Sequence, residues 1–296
     1  MAATLHMPHL ARGRAMVAGA ALLWSMAGIL ARLVEADAWT ISFWRSLLGG
    51  LFLLAVVALR AGGDIAAPFR AMGRVGWFLG CWLGVEAVLF ILAFAHTTIA
   101  NALIIVAVNP LIAALLGWLV LKERIALHTA AALAVSFMGV TYMVWGSIGG
   151  GSALGDLLAL GVALGFAVVI VTIRRNGDID LLPAMAVAGF VGAIVALPFA
   201  APFSVSLGDI GYLALFGFGE FGLSLVLFTA GTRLVPTVEV ALLGLVETAL
   251  APIWVWLAVG EEPGKRALVG GAVVLGTLLL YTVADWRRAR VVAPMA

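Results

Sequence analysis

Long runs of apolar residues without a charge recur along this chain, and they limit its fold more than any other feature. The first such run covers residues 15–31, and only 11% of all residues are charged. The mean hydropathy is +1.17. A helix of ~20 apolar residues crosses the hydrocarbon layer of a membrane, whereas a membrane barrel shows short alternating segments. The sequence therefore predicts an all-α integral membrane protein.

Ten apolar segments are predicted as transmembrane helices, and a glycine-rich stretch at 146–151 divides them into two sets of five. They cover residues 15–31, 41–59, two helices within 75–121 that meet at 96–98, one between 124 and 146, then 154–173, 181–201, 210–230, 237–259 and 267–284. A cleaved signal peptide is the alternative for the first, but Trp24 lies in its middle. The predicted domains are residues 1–148 and 149–296.

The two sets of helices are predicted to be copies of one unit. A shift of 138 residues matches Ala113, Trp118, Leu119 and Glu123 with Ala251, Trp256, Leu257 and Glu261. A shift of 134 residues matches Glu86 and Phe94 with Glu220 and Phe228. Tryptophan and glutamate are rare enough in an apolar chain for these matches to indicate a duplication. Because five is odd, the two repeats must be inverted relative to each other.

Basic residues fall mostly on one side of the predicted helices. Thirteen of the 17 Lys and Arg residues lie on the side of both termini and three on the other, while Arg45 lies inside the second helix. The positive-inside rule therefore predicts cytoplasmic termini. The net charge of +2 follows from this topology and gives no support for a nucleic-acid partner.

The motifs that would indicate enzymatic or metal chemistry are missing from the sequence. Four scattered histidines show no metal-ligand spacing, and HExxH and GxSxG do not occur. Gly217, Gly219 and Gly222 form a lone GxGxxG inside an apolar span, which favours helix packing over nucleotide binding. The pairs Gly80/Gly84 and Gly161/Gly165 have the spacing of close helix contacts. No enzyme activity, metal or cofactor is predicted.

Polar side chains in the middle of predicted spans are the candidate functional residues. Glu86, Glu220 and Glu247 are too costly to face lipid, so they are expected to bind the ammonium group of a substrate, to carry protons, or to hydrogen-bond neighbouring helices. Arg45 is expected to extend towards the outer interface. Trp24, Trp82 and Asn109 are candidates because each has a polar group in an apolar span.

Several of these residues resemble a known pattern, namely Trp24, Arg45, Asn109-Pro110 and Lys122-Glu123-Arg124. The chain is similar to EamA-type transporters of the drug/metabolite transporter superfamily, and around Val85-Glu86 to the aromatic amino-acid exporter branch. Its second half departs from the family, because Glu247-Thr248 stands where Glu-Pro is usual and Pro252 follows one turn later.

The resemblance implies a secondary transporter without cofactor that exports small metabolites, above all amino acids, across a bacterial inner membrane by alternating access. Another solute class, such as nucleotide sugars, vitamins or cationic drugs, is the alternative. The expected partners are a small-molecule substrate and the lipid bilayer; the oligomeric state is not predicted. The candidate substrate-binding residues are Trp24, Trp82, Glu86, Phe90, Asn109, Glu220 and Glu247.

Cytoplasmic termini can be tested by cysteine labelling in a protein that carries Cys81→Ala. Cysteines introduced at positions 5 and 292 are expected to resist an impermeant thiol reagent in intact cells and to react once the membrane is permeabilised. Labelling of either position in intact cells would contradict the predicted topology.

Overall fold

A computed structural model describes residues 2–122, 127–147, 153–176, 180–235 and 237–292, which form helices and turns without any strand. The helices of the first half are α1 (Ala2–Ser25), α2 (Ala27–Leu33), α3 (Ala38–Ala61), α4 (Ala66–Ala71), α5 (Gly73–His96), α6 (Ile99–Val106), α7 (Asn109–Leu121) and α8 (Leu127–Ser147). Those of the second half are α9 (Ala153–Asn176), α10 (Leu181–Ala196), α11 (Leu207–Ala214), α12 (Ser224–Gly231), α13 (Thr237–Val259) and α14 (Lys265–Val292). A 3-10 turn occupies Pro202–Ser204, and a π-helical segment, Leu215–Leu223, joins α11 to α12.

Each predicted helix coincides with helical structure, and in the described parts of the chain six helical stretches are long and apolar enough to cross a membrane. They are His9–Leu33, Ala38–Ala61, Gly73–His96, Ile99–Leu121, Ala153–Ile173 and Leu207–Gly231. Shorter apolar helices occur at Ala130–Tyr142, Leu181–Ala196 and Val246–Val259. Ten spans therefore stay a prediction. Residues 148–151 of the predicted linker, with the domain boundary after residue 148, lie outside the described residues, as do Glu123 and Arg124.

The predicted helix at 181–201 is too long, because α10 ends at Ala196 and residues 197–199 form a turn. Pro198 follows Leu197 directly. A proline lacks the N–H that would continue the helical hydrogen bonds. The local sequence thus stops this helix five residues before the apolar run itself ends.

Three of the apolar spans in the described parts of the chain are interrupted. The span His9–Leu33 breaks at Met26, between α1 and α2. The span Ile99–Leu121 breaks at residues 107–108, directly before α7. The span Leu207–Gly231 is π-helical in its middle. Interruptions of this kind inside spans often occur at functional sites.

Matched positions of the two halves have similar environments, in agreement with the predicted repeat. Trp118 and Trp256 are exposed by 49% and 50%, whereas Glu86 and Glu220 are buried with 4% and 2% exposed. Helices of one half pack against helices of the other: α3 contacts α10 and the π-helical segment, and α5 contacts α9 and α10. The halves are therefore interleaved in the bundle.

Glycines permit the closest of these helix contacts. Gly50 of α3 meets Gly189 of α10, where a Cβ on Gly189 would overlap the Gly50 backbone. Gly80 and Gly84 of α5 contact the α10 carbonyl oxygens of Ala184 and Ala188, so their predicted packing role is confirmed. The predicted packing role is wrong for Gly161, because no atom of the described residues lies within 4 Å of a Cβ added there.

A leucine at position 189 is expected to destabilise the protein, since it would force α3 and α10 apart. Overpacking of this kind typically costs about 1–3 kcal/mol. We expect Gly189→Leu to lower the midpoint of thermal unfolding in detergent by several degrees, while Gly161→Leu, in an open position of another helix, leaves it unchanged. Equal midpoints for the two variants would show that the α3–α10 contact is not as close as described.

Candidate functional site

A buried ion pair joins the two halves inside the bundle. Arg45 of α3 donates from Nε and Nη2 to Oε2 and Oε1 of Glu220 in the π-helical segment, at 2.8 and 3.1 Å. The two side chains are only 7% and 3% exposed. Two parallel charge-assisted hydrogen bonds make this one of the stronger polar contacts available to a protein. The expectation that Arg45 extends to the outer interface is wrong, because Glu220 supplies an opposite charge within the bundle.

Three phenylalanine rings surround the guanidinium group of Arg45. The Cζ atom lies 4.7 Å from the ring centre of Phe221, 5.1 Å from that of Phe216 and 5.8 Å from that of Phe90. Aromatic faces attract a cation, and more strongly where water is excluded. The Nη1 atom is buried and has no hydrogen-bond partner among the described residues. The site therefore holds a cation with one donor nitrogen that remains unused.

The π-helical segment brings Glu220 to α3 because its glycines allow a close approach. Gly217 packs against Leu48 and the carbonyl oxygen of Arg45, and Gly222 packs against the ring of Phe52. The Ser224 hydroxyl donates to the backbone oxygens of Glu220 and Phe221. It thereby bonds carbonyl groups at the point where the π-helical segment ends and the ordinary helix α12 begins. The predicted packing role of this glycine motif is confirmed for Gly217 and Gly222.

Glu247 adds a second carboxylate to this centre. It lies in α13, is half-buried, and is close enough to Glu220 and Arg45 to interact with both electrostatically. Two carboxylates thus lie within electrostatic range of the Arg45 guanidinium group, and one of them is already engaged in the bidentate pair. Glu247 is the more accessible acidic group.

Glu86 lies apart from this centre, against α9. Its carboxylate is buried and neither oxygen has a hydrogen-bond partner among the described residues. It packs against Gly165, where a Cβ would lie 2.6 Å from Oε2. Trp82, one turn earlier on α5, donates its indole N–H to the Gly165 carbonyl oxygen at 3.3 Å. The predicted residues therefore form two groups. Trp82 and Glu86 meet at Gly165, whereas Phe90, Glu220 and Glu247 lie around Arg45.

The two remaining predicted residues, Trp24 and Asn109, lie beside helix interruptions. Trp24 is half-buried near the break after α1, and its ring centre is 4.9 Å from that of Phe228. Asn109 is half-buried in the first turn of α7, next to the break at residues 107–108. Among the described residues no cluster of three or more His, Cys, Asp or Glu residues could hold a metal.

A second polar network, which the sequence analysis did not predict, lies where α2, α5, α6 and the end of α13 meet. Arg32 donates from Nε to Glu261 at 2.7 Å, and its other nitrogens donate to the carbonyl oxygens of Phe94 and Thr97. Glu261 also accepts from the Ile99 backbone N–H at 2.9 Å, at the start of α6. These bonds tie four helices together at one end of the bundle. The sequence offered one signal for this network, because Arg32 and Glu261 each follow the end of an apolar run.

The EamA-like transporter family matches the chain twice, over residues 11–145 and 153–283. Comparison with curated protein sequences gives no significant match. Among solved structures, a crystal structure of another protein has a TM-score of 0.64 at 18% identity, with 93% of this chain and 98% of the other covered. At this identity the likeness shows a shared fold alone. The two family matches together cover nearly the whole chain, which therefore belongs to the EamA-like transporter family.

Proposed function

We propose that the protein is a secondary transporter that exports amino acids across a bacterial inner membrane. The buried pair of Arg45 and Glu220, with the half-buried Glu247 nearby, carries this proposal. An amino acid presents a carboxylate and an ammonium group on one carbon atom. The unused Nη1 of Arg45 suits the carboxylate, and the half-buried Glu247 suits the ammonium group.

The rings around Arg45 support an apolar or aromatic side chain on the substrate. Phe90, Phe216 and Phe221 form an apolar wall directly beside the charged groups. A site of this kind holds the polar end of a ligand by a few directed contacts and its apolar end by ring contacts. This arrangement favours aromatic amino acids within the proposed substrate class.

Alternating access is proposed to open and close the two ends of the bundle in turn, through ten spans with both termini in the cytoplasm. The Arg32–Glu261 pair connects the first half with the second at one end, and its rupture would release that end. The interruptions at Met26 and at residues 107–108 offer hinges, because hydrogen bonds to the third preceding residue take the place of the regular α-helical pattern there. Glu86, with Trp82 beside it, is proposed as a further polar group along the path.

A carrier of another solute class is the alternative function. A cationic drug would use Glu247 and the phenylalanine rings without needing the Nη1 donor of Arg45, whereas nucleotide sugars and vitamins would need additional polar groups. Membership of a transporter family favours a carrier over an enzyme in each case.

Counterflow in proteoliposomes tests the proposed substrate class. Vesicles loaded with unlabelled phenylalanine are expected to accumulate labelled phenylalanine transiently, and loading with lysine or a quaternary-ammonium compound is expected to give little accumulation. Protein-free vesicles serve as the control. Counterflow with the quaternary-ammonium compound but with no amino acid would replace the proposed substrate class by the alternative.

Substitutions around the ion pair test the proposed binding residues. Arg45→Lys keeps the charge but loses the planar fork, and Glu220→Gln and Glu247→Gln each remove a carboxylate charge. Each is expected to raise the KM for counterflow about tenfold or more, since a hydrogen bond to a charged group is worth ~1.5–3 kcal/mol. Glu86→Gln, away from Arg45, is expected to have a smaller effect on KM.

Arg70→Gln is the matched control, because Arg70 forms an exposed ion pair with Asp64 at 2.6 Å. It is expected to leave KM unchanged, as exposed pairs contribute little. Thermal unfolding of each purified variant separates loss of binding from loss of folding. A normal KM in folded Arg45→Lys, Glu220→Gln and Glu247→Gln proteins would exclude this cluster from the substrate site.

A further inference from the structure

A basic cavity of about 390 Å³ opens at the end of the bundle where α1 begins and where α3 and α12 end. Three guanidinium groups from separate segments line it, namely Arg12, Arg60 and Arg233, together with His9. Asp180 also lines it, 3.9 Å from Arg233. Three cations and one carboxylate leave an excess of two positive charges in one concave space, even with His9 neutral.

Two of these cations have no counter-charge among the residues that the structure describes. Within the described parts of the chain, neither Arg12 nor Arg60 forms an ion pair, whereas Arg70 on the same end is paired with Asp64. The positive-inside rule accounts for basic residues at this end, but it does not account for their convergence on one cavity. Like charges in a shared space repel, so a bound anion would stabilise this arrangement.

The cavity has an apolar side and lies at the level of the span ends. Met16, Ala230 and Leu234 contribute to its lining. Arg60 is the penultimate residue of the span Ala38–Ala61, and Arg233 follows the span Leu207–Gly231 by two residues. In a membrane the cavity would therefore lie at the boundary between hydrocarbon and head groups.

Tight packing beneath the cavity keeps its walls in place. Gly13 of α1 contacts the carbonyl oxygen of Gly231, and Gly231 in turn contacts Val17 and the carbonyl oxygen of Gly13. With no side chain on either glycine, α1 and the end of α12 cross closely at this point. Arg12 of α1 and Arg233, which follows α12, are thus carried on two closely packed segments.

We infer that this cavity binds a phosphate group, supplied by the head group of an anionic phospholipid. Guanidinium groups match phosphate oxygens in geometry and charge. Basic pockets between membrane helices at the face of the bilayer suit anionic head groups, and the apolar lining is placed to contact the glycerol and upper acyl chain. The site is separate from the Arg45–Glu220 pair and contains none of the residues proposed to bind the transported solute.

Lipid binding to the purified full-length protein in detergent tests this inference. The probe is a fluorescent phosphatidylglycerol, compared with a phosphatidylcholine that carries the same acyl chains. Arg12→Gln/Arg60→Gln is expected to bind phosphatidylglycerol roughly thirtyfold more weakly than the unmodified protein, about fivefold for each guanidinium group. The control Arg70→Gln/Arg74→Gln removes two charges at the same end outside the cavity, and is expected to change the affinity by less than threefold.

Arg60→Gln alone, at the exposed end of α3, provides a second measurement should the double variant fold poorly. Its affinity for phosphatidylglycerol is expected to be about fivefold lower than that of the unmodified protein. If the cavity variant and the control variant lost the same affinity for phosphatidylglycerol, the inference would be overturned, because the lipid would then be attracted by the basic surface as a whole. Equally tight binding of phosphatidylcholine would also overturn it. Displacement of the lipid by glycerol 3-phosphate at a similar concentration would assign the site to a soluble phosphate compound and exclude the lipid head group.

Discussion

The contact between the two halves at the centre of the bundle depends on one requirement, that the buried charge of Arg45 must have a partner of opposite charge. A charged side chain at the centre of a membrane costs ~2.5–3.5 kcal/mol on insertion scales and more by simulation. Removal of one member of a buried pair typically costs about 3–5 kcal/mol, since the other is left uncompensated. Arg45 and Glu220 meet this requirement for each other. Glycines in the π-helical segment and in α3 permit the approach that their bond needs.

The backbone at the interrupted spans is subject to a similar requirement. Where helical hydrogen bonding stops, freed N–H and C=O groups must find partners inside the protein. At the end of the π-helical segment the Ser224 hydroxyl takes this role. Near the break at Met26, Ser25 donates to the Leu22 carbonyl oxygen and accepts from the Trp254 indole. Such positions combine a satisfied polar group with a locally weakened helix, which suits movement during transport.

The two repeats have kept a common framework but differ in polarity. Glu86 and Glu220 occupy matched positions and are both buried, yet only Glu220 has a basic partner among the described residues. Glu86 instead faces the small Gly165. The duplication therefore provides symmetry of helix packing, while only one of the two matched carboxylates, Glu220, takes part in the ion pair that joins the halves. An asymmetric centre can hold a substrate whose two ends carry opposite charges.

The family, the helical architecture and the positions of most helices could be predicted from the sequence, because apolar runs and the proline at the start of α7 act locally. Burial of Glu86 and Glu220 was also predictable, since a mid-span carboxylate cannot face lipid. The end of α10 was missed although Pro198 marked it.

What only the tertiary structure decided is which polar groups meet. Arg45 and Glu220 are 175 residues apart, and Arg32 and Glu261 are 229 residues apart. Their pairing depends on how each helix is rotated and where it crosses its neighbours, which the composition of a span does not specify. The same geometry gave Glu86 and Glu220 different neighbours, because α5 turns Glu86 towards α9 while the π-helical segment carries Glu220 to α3.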